Sequence, residues 1–426
     1  MWDLSHFWVA LASTLLALLG TLIAINLMGG EKRIEKTLPR LYDTNDAEFK
    51  RALGSLLGPR LVDGNRVDVL VNGQQIFPAM LEAIDGARAT ICFETFIYWS
   101  GKIGERFVCS LCERAEAGVR VHVLLDWVGS LRMDEPMVRR LRDAGVKVIR
   151  FHKPHWSNLS KLNNRTHRKL LIVDGVTGFT GGVGIADQWQ GDARNPDEWR
   201  DTHFRVRGPV VAQMQSVFLD NWMRATGEVL HGSAYFPELP AAGDQLAQMF
   251  SSSPSGGSES MHLMYLLALT AARERIDLCA SYFVPDALTH TTLVAAAKRG
   301  ARVRILVPRR HINEAMVRQA SRACWGELLA AGMAISEYQT TMLHMKALMV
   351  DDGFVSVGST NFDHRSFLLN DEANLNVISP VLARTMRDLF EADWAKGMEM
   401  ELQAWRRRPW REKLMERMAV LFRSQL

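Results

Sequence analysis

One sequence unit occurs twice in this chain, and the duplication limits the fold more than any other feature. In both copies a helix-ending segment runs into an apolar strand, and the order in each half is strand, helix, strand, helix, strand. The matching pairs are AIDGARATI at 83–91 with ALTAARERI at 268–276, AGVRVHVLL at 117–125 with RGARVRILV at 299–307, and AGVKVIRF at 144–151 with AGMAISEY at 331–338. Such alternation is typical of α/β layers with helices on the faces of a sheet.

The duplication predicts two tandem α/β domains, each with a mixed sheet flanked by helices. We place them at residues 60–245 and 250–395. Between the copies, residues 251–258 read SSSPSGGS. Serine and glycine runs of this kind behave as flexible coils, so a flexible joint is predicted here.

The N-terminal segment 7–28 has no charged side chain and is long enough to cross a bilayer as a helix. A cleaved signal peptide would carry basic residues before the apolar run, but only Asp3 is charged there. A buried core helix fits less well, because the segment is terminal and uniformly apolar. Basic residues follow it, at Lys32, Arg33, Lys36 and Arg40. This asymmetry predicts a transmembrane helix at 7–28, a juxtamembrane linker at 29–59 and a cytoplasmic remainder.

The net charge of +4 is concentrated in the tail at residues 396–426, where eight Lys or Arg stand against four Asp or Glu. A charge this small does not argue for nucleic-acid binding, and the sequence shows no continuous basic groove. The tail mixes Trp405 and Trp410 with arginines, which predicts a basic amphipathic helix lying on anionic lipid. A solvated helix packed on the domain is the alternative.

Each half also carries a His-x-Lys-x4-Asp motif, followed after six intervening residues by glycine. The first copy is His167, Lys169 and Asp174 before Gly181-Gly182, and the second is His344, Lys346 and Asp351 before Gly358-Ser359-Thr-Asn361. One such motif can arise by chance in a chain with twelve histidines. Two copies at equivalent points of a duplicated unit indicate a functional site.

These motifs resemble those of the phospholipase D superfamily, and the resemblance covers both halves. Within that superfamily the chain is most similar to the bacterial cardiolipin synthases. The segments that carry this closer likeness are ETFIY at 94–98, WRD at 199–201, GSTNFDHRS at 358–366 and NDEAN at 370–374. The resemblance implies two phospholipase D-like domains packed about a pseudo-two-fold axis, with both motifs lining one active site.

The residue types fit chemistry on a phosphodiester. In a strand, a His and the Lys two positions later point to the same face, so each motif places an imidazole beside an ammonium. One neutral imidazole can attack phosphorus while the other, protonated, donates to the leaving alkoxide. The two lysines and Asn361 can hold the non-bridging oxygens. This chemistry requires no metal, the sequence shows no acidic metal-binding cluster, and no cofactor is expected.

A carboxylate that holds the second ring nitrogen fixes the tautomer of a catalytic histidine. Asp174 and Asp351 belong to the motif, and members of the family are commonly described with them in the catalytic set. They lie seven positions after their histidines, so strict alternation turns them to the opposite face and favours a structural role. The predicted orienting pairs are Asp201 with His167 and Glu372 with His344.

The first half departs from the family at Gly184, where the second half has the usual asparagine, Asn361. The replacement removes one phosphate-side amide but no nucleophile. The resemblance to two-motif relatives favours His167 as the nucleophile and leaves His344 as the alternative. Ser359 and Asn361 are predicted to support the site. Four aromatic residues fit either the core or the pocket: Phe96, Tyr98, Trp199 and Tyr282.

The resemblance implies a cardiolipin synthase activity. A phosphatidyl group from phosphatidylglycerol moves to a histidine, glycerol leaves, and the hydroxyl of a second phosphatidylglycerol then attacks. The expected location is the bacterial inner membrane with the catalytic part on the cytoplasmic side, and the expected partners are phospholipids and the membrane rather than nucleic acid. The alternatives are a hydrolytic phospholipase D, another phosphatidyltransferase, a nuclease, or an inactive lipid-binding protein. An inactive relative would show damaged motifs, whereas both motifs here are intact.

Overall fold

The computed structural model describes residues 4–27, 34–153, 163–254 and 260–423. Its helices are α1 (Leu4–Leu27), α2 (Ala47–Leu57), α3 (Asn72–Asp85), α4 (Lys102–Glu116), α5 (Glu135–Asp143), α6 (Val210–Thr226), α7 (Ser260–Ala271), α8 (Ala287–Lys298), α9 (Ala315–Ala330), α10 (His364–Leu368), α11 (Pro380–Trp394), α12 (Leu402–Arg407) and α13 (Trp410–Val420). Its strands are β1 (Val62–Val71), β2 (Thr90–Thr95), β3 (Arg120–Asp126), β4 (Lys147–Phe151), β5 (Arg165–Thr166), β6 (Leu170–Val173), β7 (Thr177–Gly181), β8 (Thr202–Arg207), β9 (Gln245–Ser252), β10 (Arg275–Cys279), β11 (Phe283–Val284), β12 (Arg302–Pro308), β13 (Ala334–Tyr338), β14 (Ala347–Val350), β15 (Phe354–Gly358), β16 (Phe362–Asp363), β17 (Asn370–Ile378) and β18 (Gly397–Glu399).

Sixteen strands of the described chain form one mixed sheet. The first half has the order β4-β3-β2-β6-β7-β8-β1, and the second half has β13-β12-β10-β14-β15-β17-β9. In the first half, β2, β3 and β4 run parallel, and the pairs from β2 through β6, β7 and β8 to β1 are antiparallel. The two halves therefore repeat one strand order, as the duplication predicts. The predicted α/β class, with a large mixed sheet flanked by helices, is confirmed.

The two halves join where β1 pairs antiparallel with β9. Strand β9 also pairs with β17 of the second half, and in that ladder Ser251 lies opposite Ala373 and Ser252 opposite Glu372. The predicted flexible joint was therefore wrong for these two serines, because cross-strand hydrogen bonds hold them in the sheet. Residues 255–258 of the predicted joint lie outside the described residues.

Helices cover both faces of the sheet, because alternate strand residues point to opposite sides. On one face, α6 and α11 contribute Phe218, Trp222, Met386 and Phe390 to a core that spans both halves. On the other face, α3, α4 and α5 pack on the first half, and α2, α7, α8 and α9 pack on the second. The junction where β1 pairs with β9, here called the seam, therefore lies in the middle of the sheet.

Residues 7–27 of the predicted membrane segment 7–28 belong to α1, and Met28 lies outside the described residues. The described side chains of this helix, from His6 to Thr21, are all exposed. Counted over the residues that the structure describes, no helix has the length and hydropathy required to cross a membrane. The following basic residues Lys32 and Arg33 lie outside the described residues.

Part of the predicted linker at 29–59 is folded. Helix α2 lies within it, and its Phe49 and Leu53 are fully buried in the core of the second half. The ring of Phe49 packs edge-on against that of Phe354, with centroids 5.6 Å apart. This stretch of the predicted linker is a packed helix, because its apolar side chains are spaced to bury one helical face.

Candidate active site

His167 follows β5, a two-residue strand that pairs in parallel with β17 of the second half. The N–H of His167 donates to the carbonyl of Asp371 at 2.8 Å. This pairing places the imidazole beside Glu372, the next residue of β17. Both carboxylate oxygens of Glu372 lie 3.1 Å from Nδ1 of His167.

The second histidine has the equivalent arrangement. Leu343 forms a parallel bridge with Arg200 of the first half, and the N–H of His344 donates to the carbonyl of Arg200 at 2.7 Å. Nδ1 of His344 lies 2.9 Å from Oδ2 of Asp201. Each histidine is thus held by the half of the chain to which its motif does not belong.

Both predicted carboxylates contact a motif histidine, but each contacts the other histidine than the one predicted. Glu372 contacts His167, and Asp201 contacts His344. The reason is that the segment before each histidine crosses the seam and pairs with the opposite half. Alternation along a strand determines which face a side chain occupies, but it does not determine the neighbouring strand. Sequence reasoning therefore singled out both carboxylates but not the histidine that each one contacts.

Both motif lysines are buried beside their histidines. Nζ of Lys169 donates to the carbonyl of His167 at 2.7 Å, and Nζ of Lys346 donates to the carbonyl of His344 at the same distance. Lys346 additionally donates to the hydroxyl of Ser281 at 2.8 Å. Its Nζ also lies 3.2 and 3.1 Å from Nδ1 and Nε2 of His344. The second half-site therefore has an ammonium in direct contact with the imidazole.

Burial lowers the pKa of all four basic groups. It lowers the pKa of His167 to about 4 against the opposing charge of Glu372. Burial together with the charge of Lys346 lowers the pKa of His344 to about 3. The pKa of Lys169 falls to about 7 and that of Lys346 to about 8, again chiefly through burial. Both imidazoles are therefore neutral at pH 7 before a substrate binds.

The orienting carboxylates remain ionised. Burial acts to raise the pKa of Glu372, but the hydrogen bond to His167, the charge of Lys169 and the hydrogen bond from Ser359 act against burial, and the pKa is lowered. For Asp201, the hydrogen bond to His344 and the charge of Lys346 likewise act against burial, and the pKa is lowered. An ionised carboxylate can only accept, so Nδ1 of each ring carries the proton and Nε2 carries the lone pair. At His344 this Nε2 lies 3.1 Å from Nζ of Lys346.

Asp174 and Asp351 follow β6 and β14, both with positive φ, of 54° and 50°. Each carboxylate accepts hydrogen bonds from three consecutive backbone N–H groups. The donors are Arg88, Ala89 and Thr90 for Asp174, and Arg273, Glu274 and Arg275 for Asp351. These N–H groups belong to the loops that enter β2 and β10. The contacts support a structural role and place both carboxylates away from the paired histidines.

Each carboxylate that contacts a motif histidine also accepts a hydrogen bond from another side chain, and this donor differs between the two halves. The hydroxyl of Ser359 donates to Oε2 of Glu372, whereas the indole N–H of Trp189 donates to Oδ2 of Asp201 at 2.9 Å. The Trp189 ring also lies edge-on to His344, with centroids 5.2 Å apart. Sequence reasoning missed Trp189, because it lies in an irregular segment outside both motifs.

Gly184 stands where the second half has Asn361. A Cβ at Gly184 would lie 2.8 Å from Cβ of Ile97 and 3.3 Å from the ring of Trp189. The first half thus has no room for an asparagine, since Ile97 and Trp189 occupy that space. In the second half Oδ1 of Asn361 is buried and has no hydrogen-bond partner among the described residues. The difference between the two half-sites at this position therefore results from side-chain packing in the first half.

Both histidines line one cavity of about 410 Å³. Its wall also includes Lys169, Asn361, Arg165, Arg365 and the aromatic residues Phe96, Trp189, Trp199 and Tyr282. Tyr98 lies in the core instead, with its hydroxyl donating to the carbonyl of Gly104 at 2.9 Å. Among the described residues, no group of three or more His, Cys, Asp or Glu is arranged to hold a metal ion. Sequence reasoning missed the two arginines, which lie next to the motifs without belonging to them.

A family model described as "Cardiolipin synthase, PLD-like domain" matches residues 265–394. The solved structure of phosphatidylserine synthase from Haemophilus influenzae Rd KW20 is similar in fold. It has a TM-score of 0.64 at 13% identity and covers 89% of this chain and 100% of that one. This likeness extends the fold assignment across both halves.

Curated relatives match over most of the chain. Cardiolipin synthase A of Pseudomonas fluorescens (strain SBW25) is 35% identical over 351 residues, covering 82% of this chain and 73% of the relative. Cardiolipin synthase of Geobacillus kaustophilus (strain HTA426) is 35% identical over 357 residues, covering 83% of this chain and 71% of the relative. With the paired histidine motifs in one cavity, these matches show that the chain belongs to the cardiolipin synthase family of phospholipase D-like proteins.

Proposed function

We propose that this chain transfers a phosphatidyl group from one phosphatidylglycerol to another, releasing glycerol and forming cardiolipin. The observation that carries the proposal is the pair of buried histidines in one cavity, each held at Nδ1 by a carboxylate from the opposite half. Such a pair supplies a nucleophile and a proton donor for the same phosphodiester.

In the first step, Nε2 of His167 attacks phosphorus, and an N–P bond forms as the P–O bond to glycerol breaks. The imidazolium of His344 gives its proton to the departing alkoxide. Both rings are neutral in the free site, so His344 must become protonated when the substrate binds. The phosphodiester anion favours this, because a negative charge nearby raises the pKa of an imidazole. Lys169 and Asn361, which line the cavity, bind the non-bridging oxygens.

In the second step, His344 is neutral and removes the proton from a hydroxyl of the acceptor phosphatidylglycerol. The acceptor oxygen bonds to phosphorus, the N–P bond breaks, and His167 is restored. Glu372 stabilises the cationic ring while it carries phosphorus, because its ionised carboxylate lies 3.1 Å from Nδ1.

The contacts of the two rings favour His167 as the nucleophile. A ring that bears phosphorus is cationic, and the ring of His344 already contacts the ammonium of Lys346 at 3.1 Å. The same ammonium makes the imidazolium of His344 a stronger acid, which suits a proton donor. Lys169 instead directs its Nζ to the backbone carbonyl of His167.

We further propose that the apolar segment 7–28 attaches the chain to the bacterial inner membrane and that the catalytic halves lie on the cytoplasmic side. The uncharged run at 7–28 and the basic residues after it support this orientation. A C-terminal fusion to a reporter that functions in the cytoplasm should then be active. Activity of a reporter that requires disulfide formation outside the cytoplasm would overturn the orientation.

The activity is tested with purified protein in detergent and phosphatidylglycerol as the only lipid. Glycerol and cardiolipin should appear in equal amounts, and an acid-labile phosphoprotein trapped by rapid quenching should map to His167. His167→Ala and His344→Ala should each abolish turnover, whereas His231→Ala, an exposed histidine outside the cavity, should not. Phosphatidic acid as the sole product at every acceptor concentration would instead identify a hydrolase.

A further inference from the structure

The C-terminal helix α13 is fixed to the body of the protein by one face. Ala419 and Glu416 are buried on that face. Oε1 of Glu416 lies 3.3 Å from Nε of Arg322 in α9, and Oε2 lies 2.6 Å from a guanidinium nitrogen of Arg408. The buried ion pairs define which side of the helix faces away from the protein.

The outward side of α13 and of the turn after it is apolar. Its large apolar side chains are half to three-quarters exposed: Trp410 at 67%, Leu414 at 50%, Met415 at 58%, Met418 at 50%, Leu421 at 72% and Phe422 at 51%. Their spacing of three, four and seven places them along one side of a helix. We name these six residues the C-terminal face. A contiguous exposed apolar surface of this kind marks an interaction site.

The charges around the C-terminal face are mainly positive. Glu416 is buried and Glu412 is about half exposed, and both pair with Arg322. Five exposed arginines lie around the face, at positions 406, 407, 411, 417 and 423, and they outnumber Glu412, the exposed acidic residue of α13. An apolar surface with a cationic rim complements anionic phospholipid, whose acyl region takes the apolar groups and whose headgroups take the arginines.

The same helix lies against the wall of the catalytic cavity. Ala419 packs in one cluster with Val317 and Val284, and Tyr282 packs against that cluster. Val317 and Tyr282 both line the cavity that holds the histidines. The C-terminal face therefore begins within one helical turn of a residue that touches the cavity wall.

We propose that the C-terminal face lies on the surface of an anionic phospholipid bilayer and holds the cavity against it. Phospholipid then passes between bilayer and cavity without crossing water. A second copy of this chain is a poor occupant of the face, because a symmetric contact would bring the arginine rims together. The statement that phospholipid enters the cavity rests on the proposed function, whereas the docking of the C-terminal face on a bilayer does not.

The docking is tested on the full chain in proteoliposomes by quenching of tryptophan fluorescence with brominated lipid. The contribution of Trp410 is the difference between the native chain and Trp410→Phe. Brominated phosphatidylglycerol in phosphatidylcholine should quench that contribution by more than half. Val381→Trp provides a matched exposed tryptophan, because Val381 is 70% exposed on α11. Val381 follows the C-terminal end of β17, whereas Glu372 lies near the N-terminal end, roughly 20 Å away along the strand. A tryptophan at position 381 should therefore stay unquenched.

Leu414→Glu together with Met418→Glu should restore the fluorescence of Trp410. The same double variant should lower turnover of vesicle phosphatidylglycerol about tenfold relative to turnover of a short-chain, monomeric phosphatidylglycerol. An unquenched Trp410 would overturn the docking. The docking would also be overturned if the double variant changed its oligomeric state while the quenching of Trp410 stayed the same. A quenched Trp410 in a protein that never forms cardiolipin would support the docking and reject the proposed function.

Discussion

Replacing Glu372 with glutamine tests the crossed arrangement of the two half-sites. In the native protein the carboxylate accepts from Nδ1 of His167 at 3.1 Å, from the hydroxyl of Ser359, and from the amide of Asn370 at 3.2 Å. Glutamine keeps the shape and one acceptor oxygen, but it removes the charge and adds a competing donor. The imidazole is then free to carry its proton on Nε2, the atom that would attack phosphorus.

The expected loss follows from the loss of tautomer control and of charge. In the serine-protease triad, an equivalent carboxylate-to-amide change costs roughly 10⁴-fold in turnover, which corresponds to about 5 kcal/mol of barrier. We expect phosphoenzyme formation by Glu372→Gln to slow by about 10³- to 10⁴-fold for the same reason. Because Glu372 is the group that opposes the effect of burial on His167, its removal lowers the pKa of His167 further.

Two measurements check this expectation. Rapid quenching with phosphate-labelled phosphatidylglycerol gives the rate of phosphoenzyme formation, and ¹⁵N shifts of the imidazoles give each tautomer. Glu372→Gln should alter the tautomer of His167, and Asp201→Asn should alter that of His344. Glu228→Gln, which changes an exposed partner of Lys147 at 2.8 Å, should alter neither. A tautomer change at His344 in Glu372→Gln, or a rate within threefold of native, would refute the crossed pairing.

Three further predictions follow from the buried groups. Since the pKa values of His167 and His344 are lowered to about 4 and 3, the unfolded chain binds more protons below its ordinary histidine pKa. The midpoint of thermal unfolding should therefore fall from pH 7 to pH 5, as measured by circular dichroism. Asp174→Ala and Asp351→Ala should each lower the free energy of unfolding by about 2–3 kcal/mol, because three N–H groups lose an acceptor. Denaturant titration measures this cost, and turnover per folded molecule should persist. Gly184→Asn should destabilise the protein by about 1–3 kcal/mol through overpacking, with no gain in turnover in the phosphatidylglycerol assay.

The sequence predicted those parts of the molecule that depend on local periodicity and duplication. The repeated strand order, the two motif histidines and the position of Asp174 away from its motif histidine all follow from spacing along single strands. The partners of the histidines do not, since they depend on which strands meet across the seam. The joint at 251–258 was misread for a similar reason. Composition favours flexibility there, but Ser251 and Ser252 are held by β17, more than a hundred residues away in sequence.

Trp189 and α2 show a second limit of sequence reasoning. Trp189 lies in a short 3-10 turn, Asp187–Trp189, where no periodicity marks its direction. Its donation to Asp201 becomes visible only once the turn is placed against the second half-site. Helix α2 has a clear amphipathic pattern, but its partner surface belongs to strands more than two hundred residues later, including Phe354. Sequence distance conceals the contact of α2, whereas the irregular turn conceals that of Trp189, which is only 12 residues from Asp201.

The crossed carboxylates also have a consequence for the synthesis of the protein. His167 and the carboxylate that orients it are 205 residues apart in the chain. On the ribosome, the first motif therefore emerges long before Glu372 has been translated, and its imidazole has no orienting partner during that time. The other histidine meets Asp201 only when its own half has been made and folded onto the first. We therefore expect a nascent or prematurely terminated chain to be inert toward the lipids around it, with activity beginning only when translation of the second half is complete.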